Sequence, residues 1–377
     1  MTASNRVYGL DILRALAILF VIYSHSFFLI IDHVDERLYN LLSLDGVTLF
    51  FVLSGFLIGG ILLKIINTTS FSMGDLYHFW IRRWFRTLPN YFFMILLLIL
   101  LAFLRGADKP DHLVSYFFFV QNFFAPHPAF FPEAWSLSVE EWFYLLIPLG
   151  LFLSLRFLSY QRKNIVLSWI VGTILLITML RILRAVFMDI QDFGSWDNLQ
   201  RKLVITRLDS IMFGFFGAWM SCYHKAGWLQ WKKPLLIAGM LLLFIPVAAE
   251  SLAGKNLVYL NYLSLTVTSA ATLMMLPALS ELKHGKGIAF RFLTFVSIIS
   301  YSMYLVNFSL VQLTIIPSLT NTIVLFTNNH LVISIIRYIL YWALTFGLSY
   351  LLYQFFERPV MNLRERFGRG RIRGTRI

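Results

Sequence analysis

The chain has 377 residues, of which 58% are hydrophobic and only 14% are charged, whereas soluble globular proteins carry about 25% charged residues. This composition excludes a soluble globular domain and predicts an integral membrane protein. The formal net charge of +13 does not indicate nucleic-acid binding, because the basic residues lie in short clusters between apolar runs, as membrane topology signals do. We therefore expect membrane lipids, and no nucleic acid, among its partners.

Ten apolar runs are each near the length of about 20 residues that a membrane-spanning helix requires. They are 9–31, 46–66, 88–105, 137–155, 164–188, 203–222, 234–249, 257–279, 292–316 and 332–356. An eleventh run, 112–124, has only 13 residues and is followed by three prolines, so it could be a short span or a re-entrant piece. The sequence predicts an all-α polytopic membrane protein with about ten transmembrane helices plus one short re-entrant or interfacial helix.

The distribution of basic residues decides the topology. If 112–124 does not cross, the connections on one side hold 20 basic residues and those on the other side hold five. The basic side is then cytoplasmic by the positive-inside rule. If the short run crossed, the seven arginines after Phe356 would lie outside the cell, so we predict that it does not cross and that both termini are cytoplasmic. We predict a membrane domain over 1–360 and a basic cytoplasmic tail over 361–377.

The first apolar run carries two ionisable side chains on one helical face. Arg14 and His25 are eleven positions apart, which is about three helical turns and roughly 16 Å along the axis. Arginine binds phosphate well, and a neutral imidazole is a suitable general base for a hydroxyl nucleophile. We expect both side chains in one cavity, with Arg14 nearer the cytoplasm. Alternatively, Arg14 could reach back to the cytoplasmic surface, and His25 could make only an interhelical hydrogen bond.

Six segments, taken in order, resemble the acyltransferase-3 family of bacterial membrane acyltransferases. The resemblance covers nearly the whole chain and rests on GLDILRALAILFVIYSHS, DGVTLFFVLSGFLIG, FWIRRWFRTLPNYF, AWSLSVEEWFYLLIPL, TRLDSIMFG and ISYSMYLVN. It implies a ten-helix domain of the bacterial inner membrane that takes an acyl group, commonly acetyl, from acyl-CoA. The implied acceptor is a sugar hydroxyl of lipopolysaccharide O-antigen, exopolysaccharide, peptidoglycan or a small glycoside, which could be lipid-linked. Acyl-CoA would be a co-substrate, and we expect no metal and no bound cofactor.

The resemblance also implies an acyl-CoA site built from arginines. The family's paired arginine and histidine fall on Arg14 and His25, and its Arg-x-x-Arg falls on Arg83 and Arg86, with Arg82 alongside. These arginines would bind the phosphates of coenzyme A. The cluster on 82–86 could instead act only as a topology determinant.

The remaining candidate residues are likewise implied by the family's motifs. The family's acidic position falls on Glu140, which would act with His25 in catalysis by orienting the imidazole, stabilising its protonated form or binding the acceptor. Asn307 stands where the family commonly has a histidine, and it would serve the acceptor site or the structure. Asp209 and Arg207 would also belong to the acceptor site, or would form a buried structural ion pair with each other.

The mechanism that we predict is direct transfer, with His25 deprotonating the acceptor hydroxyl while the thioester carbonyl is attacked. A relay through an acyl-histidine intermediate is an alternative that the sequence does not separate from direct attack. The rival function is a transporter or flippase, since ten spans with buried charges would also suit a substrate pathway. Two features favour the enzyme: no paired interrupted segments occur in corresponding halves, and the buried charges are concentrated near one helix.

Overall fold

The computed structural model describes residues 6–68, 71–106 and 110–367. Every regular element within these ranges is helical, which confirms the predicted all-α polytopic fold. The ten long helices are α1 Tyr8–Ser26, α2 Gly46–Ile66, α3 Met73–Leu104, α4 Ala134–Phe157, α5 Arg162–Phe187, α6 Leu208–Tyr223, α7 Lys232–Ala253, α8 Leu265–Glu281, α9 Gly287–Val306 and α10 His330–Leu352. A shorter helix, α11 Arg358–Phe367, follows, and the end of the predicted tail, 368–377, lies outside the described residues.

Helix α6 is the shortest of the ten, with 16 residues, and it lies inside the bundle against α2. In the described part of the chain, nine other helical stretches are long and apolar enough to cross a membrane. A Cβ atom on Gly55 of α2 would lie 1.8 Å from the backbone oxygen of Ile211, and one on Gly214 of α6 would lie 1.8 Å from that of Val52. Such close backbone contact is typical of small residues between membrane helices. The tenth predicted span, 203–222, therefore corresponds to a shorter helix that is largely buried within the bundle.

Successive long helices run in alternate directions between two ends of the bundle. We call the end where α1 begins the arginine end and the end where α1 finishes the histidine end. At the arginine end, Arg162 Nη1 donates to the backbone oxygen of Ile66 at 2.6 Å. At the histidine end, the backbone nitrogen of Val204 donates to the oxygen of Asn122 at 3.0 Å. These contacts place the end of α2 beside the start of α5 at the arginine end, and Asn122 beside the segment that precedes α6 at the histidine end.

The short apolar run 112–124 does not cross the bundle. It contains only a five-residue helix, Leu113–Phe117, and its backbone reaches the middle of two long helices. Tyr91 Oη of α3 donates to the backbone oxygen of Tyr116 at 2.9 Å, and Trp142 Nε1 of α4 donates to that of Phe119 at 2.9 Å. These contacts satisfy carbonyl groups that lipid would leave unpaired. The segment therefore packs against α3 and α4 without forming a helix long enough to cross a membrane.

Helix α3 begins well before the apolar run that predicts it. Its 32 residues start at Met73, whereas the apolar run starts at position 88. Ser72 and Asp75 form a reciprocal capping box at this start, a local signal for a helix N-terminus. The arginines at 82, 83 and 86 consequently lie within a regular helix rather than in a connection between helices.

Candidate active site

Three arginines from two helices line one cavity at the arginine end. Arg14 of α1 and Arg83 and Arg86 of α3 surround a space of about 110 Å³. Arg14 lies close enough to Arg83 and Arg86 to interact electrostatically with both. About 70 positions separate Arg14 from these two arginines in the sequence. The structure therefore brings together three of the four predicted acyl-CoA residues. The fourth, Arg82, is exposed and does not line the cavity.

Arg14 does not reach out to the surface. Its side chain is only 17% exposed, and its Nη1 atom lies 3.6 Å from Oδ1 of Asp11. Asp11 is in turn held by Arg6, whose Nη2 approaches Oδ1 at 2.6 Å, and by Ser297, whose hydroxyl donates at 2.8 Å. The carboxylate of Asp11 therefore contacts both Arg6 and Arg14. The side chain of Arg14 points into the bundle.

Glu140 lines the same cavity, together with hydroxyl groups from α2 and α4. Tyr144 Oη donates to Oε2 of Glu140 at 3.1 Å, and Ser54 Oγ lies 3.0 Å from the same tyrosine oxygen. The structure thus associates Glu140 with the arginines and not with His25. Three guanidinium groups and one carboxylate around a small space suit an anionic ligand such as a phosphate group.

The imidazole of His25 is oriented by Asn307. The distance from His25 Nδ1 to Asn307 Oδ1 is 2.6 Å, and the ring centroids of His25 and Phe308 are 4.4 Å apart. Asn307 is the first residue of a π-helical segment, Asn307–Ile315, that continues α9. Such segments occur frequently at functional sites.

His25 lies beyond the cavity, so the prediction of one cavity shared with Arg14 is not what the structure shows. The cavity includes Tyr304 but not His25, and Tyr304 is one helical turn before Asn307. Its hydroxyl lies 2.6 Å from Ser136 Oγ and donates to the backbone oxygen of Glu133 at 3.0 Å. These hydrogen bonds hold the ring at the end of the cavity nearest Asn307. The arginine cavity and the His25–Asn307 pair are therefore adjacent but separate.

A buried carboxylate that the sequence analysis does not single out holds the π-helical segment in place. Glu133 accepts hydrogen bonds from the backbone nitrogen of Ser309 at 3.0 Å and from its hydroxyl at 2.5 Å. Burial raises the pKa of the Glu133 carboxyl to about 7, although the hydrogen bonds from Ser309 oppose the shift. Its position just before an apolar helix, in an otherwise uncharged stretch, is the only sequence signal for it.

An ion-pair cluster lies near His25 at the histidine end. Arg201 contacts Oδ1 of Asp197 at 2.6 Å and Oδ1 of Asp45 at 3.3 Å, and its guanidinium lies 5.2 Å from the ring centroid of Trp135. Burial alone would lower the pKa of Arg201, but the two carboxylates outweigh it and hold the pKa above its ordinary value. Arg201 is within electrostatic reach of His25, a proximity that the sequence does not reveal.

The predicted ion pair between Arg207 and Asp209 does not form. Asp209 Oδ2 instead lies 2.7 Å from Nη1 of Arg181 on α5, and both side chains are almost fully buried. Arg207 donates from Nη2 to Thr48 Oγ1 at 2.6 Å, with Asp45 at 3.9 Å. The physical reason is the local backbone: Arg207 precedes α6 with a non-helical φ of −128°, whereas Asp209 lies in the first turn of the helix, so the two side chains have different directions.

The fold and these two sites define a polytopic helical membrane protein with a buried arginine cavity next to a histidine. In the described part of the chain, no cluster of three or more metal-ligating side chains occurs. The sequence model of the acyltransferase-3 family, which describes an acyltransferase domain, matches residues 7–354. The chain therefore belongs to the acyltransferase-3 family, as the motifs predict.

Several curated proteins are similar to this chain. The peptidoglycan O-acetyltransferase OatA of Listeria monocytogenes is 26% identical over 336 residues, which cover 84% of this chain and 51% of that protein. A candidate peptidoglycan O-acetyltransferase of Bacillus subtilis, YrhL, is 30% identical over 171 residues, 41% of this chain and 25% of that protein. A candidate O-acetyltransferase of Staphylococcus aureus is 30% identical over 180 residues, 44% of this chain and 28% of that protein.

The chain spans about half the length of the Listeria relative and about a quarter of the other two. No solved structure gives a significant match.

Proposed function

We propose that this protein is a membrane-bound O-acyltransferase that moves an acyl group, most simply acetyl, from cytoplasmic acyl-CoA to a sugar hydroxyl of an extracytoplasmic glycan. The observation that carries the proposal is the convergence of Arg14, Arg83 and Arg86 on one cavity, one helical turn from the partner of His25. Acyl-CoA has a phosphorylated end and a thioester end. The arginine cavity would bind the phosphates, and His25 would transfer the proton at the thioester.

The arginine cavity would bind the phosphates of coenzyme A. Arginine offers planar, paired donors to phosphate oxygens, and a low-dielectric site strengthens these hydrogen bonds. The pantetheine arm would extend toward His25, a distance of roughly 16 Å along α1, and it would pass Tyr304 on the way. Tyr304, whose hydroxyl is held by Ser136 and Glu133, would therefore line the path of the arm between the cavity and His25.

His25 would act as the general base. It accepts the proton of the sugar hydroxyl while that oxygen attacks the thioester carbonyl, the new ester C–O bond forms and the C–S bond breaks. The proton then passes to the departing sulfur, and free CoA is released. In the alternative relay, the imidazole itself is acylated first, and the sugar oxygen attacks the acyl-histidine.

The acceptor is proposed to be a cell-envelope glycan. The printed names of the Listeria and Bacillus relatives specify peptidoglycan O-acetylation, and this supports a glycan hydroxyl as the acceptor class. The motif resemblance extends the class to O-antigen, exopolysaccharide and lipid-linked glycans. The protein would lie in the bacterial cytoplasmic membrane with the arginine end toward the cytoplasm.

The proposal is tested with purified protein in proteoliposomes, supplied with acetyl-CoA and a defined glycan. We expect release of free CoA that depends on the glycan, with the label of [¹⁴C]acetyl-CoA recovered in the glycan. A longer acyl donor in a parallel reaction reports the acyl preference. Transport of the glycan without release of CoA would instead support the transporter, and it would overturn the enzyme.

The orientation is tested separately with reporter fusions in the intact membrane. Fusions after Leu155 and Leu279 should be cytoplasmic, and a fusion after Pro126 should be extracytoplasmic, because the basic connections are grouped at the arginine end. The opposite pattern would place the arginine cavity on the outer side, where acyl-CoA is absent.

A further inference from the structure

We propose that Asn307 is a positioning residue that fixes the tautomer of His25, so that Nδ1 carries the proton and Nε2 is the basic nitrogen. This inference rests on the proposed function, since it specifies which atom of His25 accepts the proton. The motif resemblance implies for Asn307 only a role in the acceptor site or in the structure, so the role proposed here is not carried over from it.

The orientation of the Asn307 amide is determined by two backbone carbonyl groups. Its Nδ2 atom donates to the oxygen of Met303 at 2.9 Å and to that of Tyr304 at 2.8 Å. The reversed amide would bring Oδ1 against these two carbonyl oxygens, and no proton would lie between them. The amide therefore has one favourable orientation, with Oδ1 toward His25.

The orientation of the amide decides the protonation of the imidazole. An amide oxygen can only accept a hydrogen bond, and it lies 2.6 Å from Nδ1 of His25. Nδ1 must then carry the hydrogen, because an unprotonated nitrogen at that distance would leave two lone pairs facing each other. In a neutral imidazole with Nδ1 protonated, Nε2 has the free lone pair.

The surrounding residues hold Asn307 in this position. It is fully buried, and it starts the π-helical segment that also places Phe308 on the imidazole ring. Two residues further on, Ser309 is bound by the carboxylate of Glu133. Tyr341 adds a longer contact, with its hydroxyl 3.4 Å from Oδ1. These contacts therefore hold both the amide of Asn307 and the imidazole ring of His25 in place.

The test compares two substitutions at this position by steady-state kinetics in proteoliposomes. Asn307→Leu removes the acceptor for Nδ1, so kcat should fall on the order of 10²-fold or more, as expected when a catalytic histidine loses its orienting partner. The KM for acetyl-CoA should be unchanged, because the arginine cavity is separate. Asn307→Asp retains an acceptor oxygen for Nδ1, and in the neutral acid form that burial favours, its hydroxyl can still donate to one of the two backbone carbonyl groups. It should therefore keep kcat within about tenfold of the unmodified protein.

Asn261→Leu is the matched control, because Asn261 is also a buried asparagine in a π-helical segment but lies in another helix. It should leave kcat and KM unchanged. If Asn307→Leu retains kcat, or if a folded Asn307→Asp protein is as inactive as the leucine variant, the inference is wrong. If the unmodified protein releases no CoA with any acceptor, the proposed function fails instead.

A measurement on the unmodified protein does not depend on the folding of either variant. In ¹⁵N NMR of protein labelled at histidine, the signals of His25 are those that His25→Gln removes. We expect a protonated Nδ1 and an unprotonated Nε2 at neutral pH. The opposite tautomer would overturn the inference, whatever the kinetics of the variants.

Discussion

The two ends of the bundle hold their polar groups in different ways. At the arginine end, Arg14, Arg83 and Arg86 face a space of about 110 Å³, and the ion pair from Arg14 to Asp11 is long, at 3.6 Å. At the histidine end, Asn307 makes three hydrogen bonds of 2.6 to 2.9 Å, one of them to His25. The first arrangement suits a charged ligand that enters and leaves, whereas the second suits a group that must keep one geometry.

This difference predicts how substitutions at each end should change the kinetics. A change in ligand binding that is equal in the ground state and the transition state alters KM, whereas loss of a group needed only in the transition state lowers kcat. Substitutions at the arginine end should therefore raise the KM for acyl-CoA, and substitutions at the histidine end should lower kcat.

The largest expected effect is that of His25. His25→Ala and His25→Gln should both lower kcat by at least 10²-fold, up to about 10⁴-fold, because general-base catalysis typically contributes this much. A structural hydrogen bond between membrane helices contributes only about 1 kcal/mol, so insertion and acetyl-CoA binding should persist. Transfer of labelled acetyl and calorimetric binding of acetyl-CoA measure the two quantities. Substantial activity of the glutamine variant at normal expression would show that His25 has only a packing role.

A smaller effect is expected at the arginine cavity. Arg86→Lys and Arg83→Lys keep the positive charge but lose the paired donors, so the KM for acetyl-CoA should rise about tenfold with little change in kcat. Steady-state kinetics over a range of acetyl-CoA concentrations measures this change.

Arg82→Lys is the matched control for the arginine cavity, because Arg82 lies on the same helix but is exposed and outside the cavity. It should leave both constants unchanged. Equal effects of all three lysine substitutions, or an unchanged KM at 83 and 86, would leave these arginines as topology determinants and would remove the contrast between the two ends.

The smallest effect is a dependence of stability on pH at the histidine end. The pKa of Glu133 is raised to about 7 by burial, above the ordinary value of about 4.3. The folded protein therefore binds this proton more tightly than the unfolded protein does, and protonation of Glu133 stabilises the fold. This contribution is fully present below the ordinary pKa and is lost as the pH rises through 7. From pH 6 to pH 8.5 the loss should lower the Tm by about 2 °C.

Glu133→Gln tests this dependence, because a neutral amide does not titrate but can still accept a hydrogen bond from the backbone nitrogen of Ser309. Thermal unfolding in detergent should show a flatter dependence of Tm on pH for the variant than for the unmodified protein. Parallel curves for the two proteins would mean that Glu133 is not the titrating group.

Local features of the sequence determined the fold class and the composition of the arginine cavity. Apolar runs about as long as the bilayer is thick predict the helices, and the uneven distribution of basic residues predicts their alternation. The motifs that carry Arg14, Arg83 and Arg86 predict one shared site, which the structure contains. These signals can be interpreted without tertiary structure because the bilayer imposes the same length and charge rules on every span.

Only the tertiary structure decided the partner of each buried polar group. Asn307 lies 282 positions from His25, Ser309 lies 176 positions from Glu133, and Asp209 pairs with Arg181 rather than with its neighbour in sequence. Each pairing depends on which faces of two helices meet, and on side-chain directions that change within two residues. A buried donor or acceptor must find a partner, but the sequence does not specify which of many distant groups the packing will bring within about 3 Å.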